Sequence, residues 1–467
     1  MGPRTGWYLS MRRLLPLTIA SAVLALPAGA HAASTVVVRG AGFGHGIGLS
    51  QYGAYGFAQK GFTYQQILSR YYAGTQLGTA ASRPVRVLLQ ASDPYVRVRG
   101  VSSASGGKRL NPTVTYVVKP APGGGVRLTG NGKKVGTFAA PLRLARTGQP
   151  VRLMGRAING VTNGTYRGAL ELRSGVGGGV TAVNSLPLDE YVQGVISAEM
   201  PSTWHIQALR SQAVAARTYA LATAKGSGGV FDQYPDTRSQ VYRGVSAETA
   251  RGVQAVRDTS RQIVTYGGAP AVTYFFSTSG GKTENVENSF LGSDPKPWLK
   301  SEADPYDTIS PKHRWTFRFS SKSFGSRLGA PGAYRSIKVL QRGVSPRVVR
   351  ARVTGSRGTR VLTGPQIRAR LGLYDSWAYF STVSSSQVRR SAKAARTSSV
   401  FPELAGSFAP APRARALIVE RRFAGRWRRV SSIATTRTGR YRTTLGVSGI
   451  YRVRAGSVAG PAVRVRR

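Results

Sequence analysis

Short apolar runs alternate with turn residues through the first half of the chain, and this pattern constrains the fold more than any other feature. Examples are Val85–Leu89, Val114–Val118 and Ala169–Leu172, which are separated by glycine-rich and proline-containing turns. Runs of this length between such turns are typical of antiparallel strands. Residues 84–183 are therefore predicted to be rich in β-structure.

The chain of 467 residues contains no cysteine and carries a formal net charge of +49. The absence of cysteine excludes disulfides, thiolate metal sites and thiol nucleophiles. So large a positive charge attracts polyanions, which are nucleic acids inside a cell and wall carboxylates or phosphates outside it. No nucleic-acid-binding motif accompanies the charge, so no nucleic-acid partner is predicted.

Residues 1–33 have the organisation of a secretory signal peptide. Arg12 and Arg13 precede an apolar run, Leu14–Leu26, which is followed by small residues at Ala30 and Ala32. The run is short for a membrane span, and the small residues suit a signal peptidase. Cleavage after residue 32 or 33 is predicted, and with it a secreted, cell-wall or extracellular location; the alternative is an uncleaved signal anchor.

Two helices are predicted on either side of Pro201. Pro187 suits a first helical turn, and the following residues continue an apolar helical pattern through Glu199, where Pro201 ends it. A second helix is predicted from Ser202 or Thr203 to about residue 225. Together with the strands, these helices predict a mixed, β-rich α+β domain in which a few helices form a cleft.

Further elements are predicted after the second helix. They are a helix from Ser246 to about Ile263, a buried strand Ala271–Phe276, strands at Ile337–Leu340 and Val348–Val353, and a short helix at Pro365–Leu371. Residues 384–413 are rich in Ser, Ala, Arg and Pro, which favours a basic flexible linker.

The remaining residues, 414–467, contain four short apolar runs and are predicted to form a small β-sandwich. Five arginines lie near Trp427 in this segment, at Arg421, Arg422, Arg426, Arg428 and Arg429. A cationic and aromatic surface of this kind suits attachment to an anionic polymer. The alternative is a solubilising appendage in a chain that is basic throughout.

Glu199 is the candidate catalytic acid. It ends an apolar helix beside Met200 and Trp204, where desolvation would raise its pKa and keep the carboxyl protonated near neutral pH. The alternative is an ordinary exposed residue at a helix end. Asp189 and Glu190 begin the same helix, where their negative charge suits the helix dipole, so a capping role is predicted for them.

Two polar segments supply candidate binding residues. The first, Gly-Phe-Gly-His-Gly-Ile-Gly-Leu-Ser-Gln-Tyr-Gly-Ala at 42–54, lets backbone approach a ligand and offers His45, Ser50, Gln51 and Tyr52. It lacks the Gly-Lys-Ser/Thr ending of a nucleotide-binding loop. The second, at 274–284, runs from a strand into a polar turn with Ser279 and Lys282; its alternative interpretation is a strand cap.

These segments together resemble the SpoIID/LytB (stage II sporulation protein D) domain family, over roughly residues 35–383. The resemblance rests on four motifs: Asp-Glu-Tyr-Val…Glu-Met-Pro…Gln-Ala-Val-Ala-Ala-Arg-Thr-Tyr-Ala, Ser-Thr-Ser-Gly-Gly-Lys-Thr-Glu, Leu-Thr-Gly…Leu-Gly-Leu and the glycine-rich segment. Members of this family include lytic transglycosylases and amidase enhancers. The resemblance implies a glycan-cleaving domain over residues 34–383 with Glu199 as the catalytic glutamate.

The chain departs from the family pattern in two ways. The Gly-His-Gly…Ser-Gln-Tyr-Gly-Ala segment usually closes the domain, whereas here it precedes the other motifs. If the family's termini lie close together, this permutation would preserve the fold and the cleft. Some relatives have a Cys/His zinc site near the Ser-Thr-Ser-Gly-Gly turn, but this chain has no cysteine, so no metal and no cofactor are predicted.

The resemblance implies a secreted peptidoglycan lytic transglycosylase that cleaves MurNAc-GlcNAc strands and leaves 1,6-anhydroMurNAc ends. Arg217, Gln212 and Tyr219 are predicted to bind substrate on the second helix, the alternative being helix surface. Glycan strands and anionic wall polymers are the predicted partners. The alternative function is a non-catalytic amidase enhancer or wall-binding protein, with a wall amidase as its partner.

Overall fold

A computed structural model describes residues 33–81, 83–175, 178–224, 229–388, 401–410 and 414–466. Residues 1–32 of the predicted signal peptide lie outside the described residues. Among the described residues, no helix is both long and apolar enough to cross a membrane. Internal contacts divide the chain into a larger unit, Thr35–Thr382, and a smaller unit that includes Val383–Arg467.

The described residues form eight α-helices and thirty strands, most of them short. The helices are α1 (Gln51–Gln59), α2 (Tyr64–Tyr71), α3 (Leu188–Glu199), α4 (Ile206–Ala222), α5 (Ala250–Asp258), α6 (Val286–Ser289), α7 (Ser321–Leu328) and α8 (Gly364–Leu371). The strands are β1 (Ala33–Gly40), β2 (Leu49–Ser50), β3 (Gln76–Thr79), β4 (Pro84–Asp93), β5 (Val96–Arg99), β6 (Ser103–Ala104), β7 (Lys108–Arg109), β8 (Tyr116–Pro120), β9 (Val126–Gly130), β10 (Lys133–Phe138), β11 (Leu142–Ala145), β12 (Val151–Met154), β13 (Thr165–Tyr166), β14 (Ala169–Ser174), β15 (Val180–Pro187), β16 (Gln262–Tyr266), β17 (Ala269–Pro270), β18 (Phe275–Phe276), β19 (Trp315–Ser320), β20 (Tyr334–Arg342), β21 (Val348–Gly355), β22 (Gly358–Thr363), β23 (Ala378–Val388), β24 (Glu403–Ala409), β25 (Ala416–Phe423), β26 (Arg426–Ala434), β27 (Arg440–Thr444), β28 (Gly449–Ala455), β29 (Val458–Ala459) and β30 (Val463–Val465).

Two six-stranded antiparallel sheets form the β-rich region that the sequence predicts. One has the order β4-β15-β14-β11-β6-β7 and the other β10-β9-β8-β5-β12-β13. Their alternating apolar residues, such as Leu170 and Leu172 on β14, are fully buried, as expected for strands with one face in a core. The fold of the larger unit is therefore the predicted mixed α+β, with strand the main component.

Smaller sheets complete the larger unit. They are β17-β16-β3, β20-β21-β22, the antiparallel pair of β1 with β19, and the parallel pair of β2 with β18. The last pair matters for function because it joins the two polar segments at 42–54 and 274–284, which are more than 200 residues apart in sequence.

The α4 helix is at the centre of the helical part of the larger unit. It packs against α1, α2, α3 and α5, and Leu209, Val214 and Ala216 on it are completely buried. A helix with buried residues around most of its circumference is held by packing on several sides. It therefore gives α3, which precedes it, a rigid support.

The α3 helix confirms the prediction made from its flanking prolines. It begins at Leu188, one residue after Pro187, and ends at Glu199. Met200 leaves the helix with extended backbone, φ −135°, because Pro201 has no N–H and disfavours helical backbone in the residue before it. The chain thus turns away directly after the candidate acid.

Several predicted element boundaries were wrong. The α4 helix begins at Ile206 rather than after Ser202 or Thr203, because the His205 side chain caps it by accepting from the Gln207 amide. Thr249 rather than Ser246 caps α5, which ends at Asp258, so Ile263 belongs to β16 instead. Side-chain oxygens and nitrogens compete for the cap, and the sequence alone does not rank them.

The predicted strand 271–276 and the predicted linker 384–413 also differ from the structure. Only Phe275–Phe276 is a strand in the first segment. In the second, Ala378–Val388 extends beyond the predicted boundary, and Glu403–Ala409 is a strand paired with β27. Leu404 and Phe408 on it are fully buried, so burial of two side chains outweighs a composition that is otherwise typical of a linker. Residues 389–400 and 411–413 lie outside the described residues.

The smaller unit is built from strands, as predicted for residues 414–467. Its main sheet has the order β26-β25-β28-β29, and β30 pairs with residues 449–451 of β28. Leu417, Val419, Tyr451 and Val453 are buried on one face of this sheet.

Candidate functional site

A cleft of about 530 Å³ opens beside the end of α3. Its lining combines one carboxyl group, one guanidinium, a few polar side chains and several aromatic rings. The lining residues are Phe43, Gly44, His45, Gln51, Glu199, Tyr219, Thr237, Arg238, Ser239, Tyr274, Phe275, Phe276, Ser277 and Phe290. Of the ten site residues predicted from sequence, the structure brings together Glu199, Tyr219, His45 and Gln51 in this cleft.

Glu199 is the one carboxyl group among the described residues that line the cleft. Its Oε1 accepts a hydrogen bond of 2.6 Å from the Val241 amide, and the Gln51 side chain also donates to the carboxyl group. Burial raises the pKa of Glu199 above its ordinary value, because desolvation of the charged form outweighs these two hydrogen bonds. The group is therefore a carboxyl that keeps its proton to a higher pH than an exposed glutamate.

The loop before Val241 forms one wall of the cleft and was not predicted from sequence. Thr237, Arg238 and Ser239 line the cleft. Arg238 is held in place by two donors to Asp236, at 2.9 and 2.7 Å, and by stacking 4.0 Å above the Tyr234 ring. Arg238 is thus an oriented cation beside the cleft. The Asp-Thr-Arg stretch was the available signal, but Asp and Arg two residues apart in a loop are common and indicate no specific function alone.

His45 has fixed hydrogen bonds on both ring nitrogens. Nδ1 accepts from the Ile47 amide at 3.1 Å, so Nε2 carries the proton and donates to the Phe275 carbonyl at 3.1 Å. Burial, aided by the nearby positive charges of Arg368 and Arg347, lowers the pKa of His45 to about 3. His45 is therefore a neutral wall residue and not a proton donor or acceptor near neutral pH.

Aromatic rings form the floor of the cleft. The His45 ring lies 5.3 Å from Phe276 and 5.2 Å from Phe290, and Phe290 lies 5.0 Å from Tyr274, measured between ring centroids. Tyr219 extends this group with a 5.8 Å contact to Tyr274. Such rings offer flat apolar surface beside a few polar groups, which is typical of ligand pockets.

The glycines of the 42–54 segment allow its close approach to the cleft. Gly44 has φ 137°, and a Cβ there would lie 2.6 Å from the Phe276 Cβ. Gly46 has φ 86°, and a Cβ there would collide with the Arg347 guanidinium. Both positions therefore need glycine for backbone conformation and for space.

The same segment lies against residues 374–377, which follow the Leu-Gly-Leu stretch near the end of the larger unit. The Gly44 amide donates to the Tyr374 carbonyl and the Ala41 amide to the Trp377 carbonyl, at 3.1 and 3.2 Å. The segment thus occupies a position next to the point at which the family pattern would continue into it. The permutation inferred from the order of the motifs stays a prediction.

Arg217 and Gln212 do not face the cleft, which corrects the prediction that they bind substrate. Both side chains are completely buried. Arg217 donates from Nε to Asp189 at 2.6 Å and from its terminal nitrogens to the carbonyls of Gln262 and Val256. These bonds tie α4 to the start of α3 and to α5, so Arg217 is a structural residue. Sequence spacing along α4 did not reveal which face carries it.

Ser50 and Ser279 lie behind the cleft rather than on it. Ser50 caps α1 and donates to Asp307 at 3.3 Å, and the Ser279 amide donates to Asp307 at 3.0 Å. Both serines are fully buried. They join the two polar segments to Asp307 and are not positioned to bind substrate, contrary to the prediction.

Tyr52 and Lys282 are also absent from the lining of the cleft. The Tyr52 ring packs edge-on against Trp204 at 4.6 Å, and Lys282 Nζ donates to the Val344 carbonyl at 3.2 Å. The predictions for these residues are therefore not supported. Tyr52 instead packs α1 against Trp204, which precedes α4.

A buried carboxylate pair supports these segments from below and was not predicted from sequence. Asp304 and Asp307 are both completely buried, and Asp307 pairs with His313 Nδ1 at 2.9 Å. Burial and the neighbouring Asp307 charge raise the pKa of Asp304 to about 7. Among the described residues, no group of three or more His, Cys, Asp or Glu side chains could hold a metal ion.

Comparison with known proteins places the α3 to β16 region in a known family. The SpoIID family model, described as stage II sporulation protein, matches residues 176–266, which include Glu199, α4 and the Arg238 loop. Over residues 176–266 the chain is similar to the SpoIID family. The sequence resemblance to this family is thereby confirmed, whereas the position of the glycine-rich segment is not part of the match.

The SpoIID relatives extend the similarity beyond that segment. Stage II sporulation protein D of Bacillus subtilis (strain 168) is 35% identical over 213 residues, which are 41% of this chain and 60% of the relative. The protein of the same name from Bacillus amyloliquefaciens is 33% identical over 210 residues, 41% of this chain and 59% of that relative. The chain therefore spans about three fifths of the length of these relatives.

A third relative has a different name. It is the amidase enhancer of Bacillus subtilis (strain 168), 33% identical over 137 residues, which are 29% of this chain and 18% of the relative. No solved structure matches the chain.

Proposed function

We propose that this protein is a peptidoglycan lytic transglycosylase that cleaves glycan strands, with Glu199 as its one catalytic acid and base. A cell-wall-related role is supported by the SpoIID match and by the relative named amidase enhancer. The finer assignment rests on one observation, a single protonatable carboxyl in a cleft with aromatic walls.

A single carboxyl group is sufficient for this reaction. Glycosidases usually pair two carboxylates, but a muramic acid residue carries a 6-hydroxyl that can attack its own anomeric carbon. Glu199 would donate its proton to the departing glycosidic oxygen as the bond from that oxygen to C1 breaks. The ionised Glu199 would then accept the proton of the 6-hydroxyl as its oxygen bonds to C1, which leaves a 1,6-anhydro end and consumes no water.

The other cleft residues suit a sugar chain. Tyr274, Phe276 and Phe290 offer ring faces to the apolar faces of pyranose rings, and Thr237 and Ser239 offer hydroxyls. The Val241 amide and Gln51 stabilise the carboxylate once it has lost its proton. The environment thus favours a carboxyl that donates first and accepts afterwards.

Muropeptide analysis tests this function directly. The purified protein is incubated with isolated glycan strands, and the products are identified by mass spectrometry. We expect disaccharide products that end in 1,6-anhydroMurNAc, lighter by one water than hydrolytic products. Reducing ends alone would reject the transglycosylase assignment, and no cleavage by a folded protein would reject glycan cleavage.

The second candidate is a non-catalytic enhancer of a wall amidase, favoured by the similarity to the amidase enhancer. In that case the cleft would bind glycan without cleaving it. An amidase assay with and without this protein separates the two, because an enhancer accelerates peptide release even when Glu199 is replaced by Gln. Loss of that acceleration together with glycan cleavage would favour the enzyme.

A further inference from the structure

The smaller unit has a sheet face that is covered by arginine. Strand register places Arg422 opposite Trp427, Arg429 opposite Glu420, and Glu420 opposite Arg452. Because alternate residues of a strand share a face, Arg454 lies on this face too, and Arg464 joins it opposite Ile450. We call these five residues the arginine face: Arg422, Arg429, Arg452, Arg454 and Arg464.

The one carboxylate on the arginine face is already engaged by two of its arginines. Glu420 Oε2 accepts from Arg452 Nε at 2.6 Å, and Oε1 accepts from Arg454 Nε at 2.9 Å. The Glu420 side chain is only 7% exposed, whereas Arg452 and Arg454 are 23% and 33% exposed. Both bonds use the Nε atom of the arginine.

Trp427, on the edge strand β26, orders part of the arginine face. The Arg452 guanidinium stacks 4.1 Å from the Trp427 ring centroid, and Arg429 donates to Ser432 at 2.7 Å. Stacking and hydrogen bonding hold these long side chains in one arrangement and lower the entropy cost of binding a ligand. Like charges on neighbouring strands are otherwise destabilising, so the stability of the sheet does not account for this arrangement.

The structure separates the five arginines that the sequence groups around Trp427. Only Arg422 and Arg429 share its face. Arg421 lies opposite Arg428, and Arg426 lies opposite Phe423, so these three belong to the other face of the same hairpin. In their place the arginine face has Arg452, which stacks on Trp427, and Arg454 and Arg464, and all three come from strands later in the chain.

We infer that the arginine face binds a linear cell-wall polymer with phosphodiester groups in its backbone. Guanidinium groups keep their charge at every relevant pH and match phosphate oxygens with paired N–H donors. Strands about 5 Å apart and alternate residues about 7 Å apart along a strand present these donors as a flat array. A flexible chain with charge on its backbone can follow such an array over several residues. Peptidoglycan carboxylates instead lie on substituents of the glycan strand and not in its backbone.

Two double variants of the full chain test this inference. Arg422→Gln with Arg429→Gln removes two charges from the arginine face and leaves the Glu420 pairs with Arg452 and Arg454 in place. Arg426→Gln with Arg428→Gln removes two charges from the same hairpin on the opposite face. The two variants have the same net charge, so any difference between them reports the face and not the overall charge.

Cosedimentation with isolated cell walls that carry polyol-phosphate polymer measures the binding over a range of salt concentrations. We expect the first variant to bind about tenfold more weakly, with the slope of log affinity against log salt reduced by about 1 to 2. The affinity of the second variant for the walls should fall by less than about twofold. The difference should disappear on walls whose phosphodiesters have been removed with hydrofluoric acid.

An equal loss of wall affinity in both variants would overturn the inference, because general charge attraction would then explain the binding. A difference that persists on the acid-treated walls would also overturn it, because the ligand would then be a carboxylate. Cleavage of soluble glycan strands should be the same in both variants and in the parent chain, so failure of this inference and failure of the proposed catalytic function give different results.

Discussion

The Val241 amide donates to Oε1 of Glu199 over 2.6 Å, which joins the end of α3 to a loop 42 residues later in the chain. The hydrogen bond keeps one carboxyl oxygen turned toward the protein. Together with Gln51 it provides the ionised carboxylate with donors, while burial favours the protonated form. The pKa of Glu199 therefore depends on the balance between burial, which raises it, and these two hydrogen bonds, which lower it.

Replacement of Glu199 by Gln should lower glycan cleavage by at least about 100-fold, because it removes the proton donor and keeps the size of the side chain. The assay is release of 1,6-anhydro products from purified strands. Glu190→Gln is the matched control, since Glu190 lies on the same helix at its opposite end. Normal turnover by the Glu199 variant would contradict the catalytic assignment.

Replacement of Gln51 by Leu should shift the pH profile of cleavage to higher pH. The Gln51 hydrogen bond lowers the pKa of Glu199, so its loss raises that pKa further. A general acid loses activity as the pH rises through its pKa, and the alkaline limb of the rate should move upward. A limb that stays in place would mean that another group limits the rate.

Replacement of His45 by Ala should reduce the rate without changing the shape of the pH profile. With a pKa of about 3 and both nitrogens engaged, His45 does not titrate between pH 5 and 8. Its loss removes a wall of the cleft and its contacts with Phe276 and Phe290. Disappearance of one limb of the profile would instead identify His45 as an acid or base.

Replacement of Arg217 by Ala should lower the free energy of unfolding by about 3 to 5 kcal/mol, because it leaves buried carbonyls without donors and removes the partner of Asp189. The measurement is urea unfolding. Arg210→Ala, on the same helix with a more exposed pair to Asp258, should cost less than about 1 kcal/mol. If Arg217 bound substrate, the folded variant would show a raised KM with little change in stability.

Replacement of Asp304 by Asn should remove a pH dependence of stability. A carboxyl with a folded pKa of about 7 and an unfolded pKa of about 3.9 binds more protons in the folded state between those values. The contribution of this carboxyl to the free energy of unfolding is therefore largest at about pH 4. It decreases as the pH rises to about 7 and above, by up to about 4 kcal/mol.

Urea unfolding from pH 4.5 to 8 checks this pH dependence. The Asp304 variant should be more stable than the parent chain at pH 8, and its stability should change less over the range. Asp294→Asn, at an exposed position, is the control and should leave the dependence as it is. A parent chain that becomes more stable as the pH rises through 7 would contradict the assigned burial of Asp304.

The sequence determined those features that depend on local chemistry. Pro187 and Pro201 delimit α3 because proline restricts its own backbone and that of the preceding residue, and Glu199 follows as the last helical residue. Alternation of apolar residues and turns similarly predicted the β-rich region, which the structure forms as two six-stranded sheets. The motifs also revealed the similarity to the SpoIID family, since they require particular residue types at particular spacings.

Only the tertiary structure decided which side chains meet. Arg217 and Tyr219 are two residues apart on α4, yet Arg217 is buried against α3 and Tyr219 lines the cleft. The Arg238 loop reaches Glu199 through a backbone amide, which carries no sequence signal. Asp304 and Asp307 become a coupled pair only after burial removes the water that would separate their charges. Such contacts join distant segments, and their energies depend on burial that no local pattern encodes.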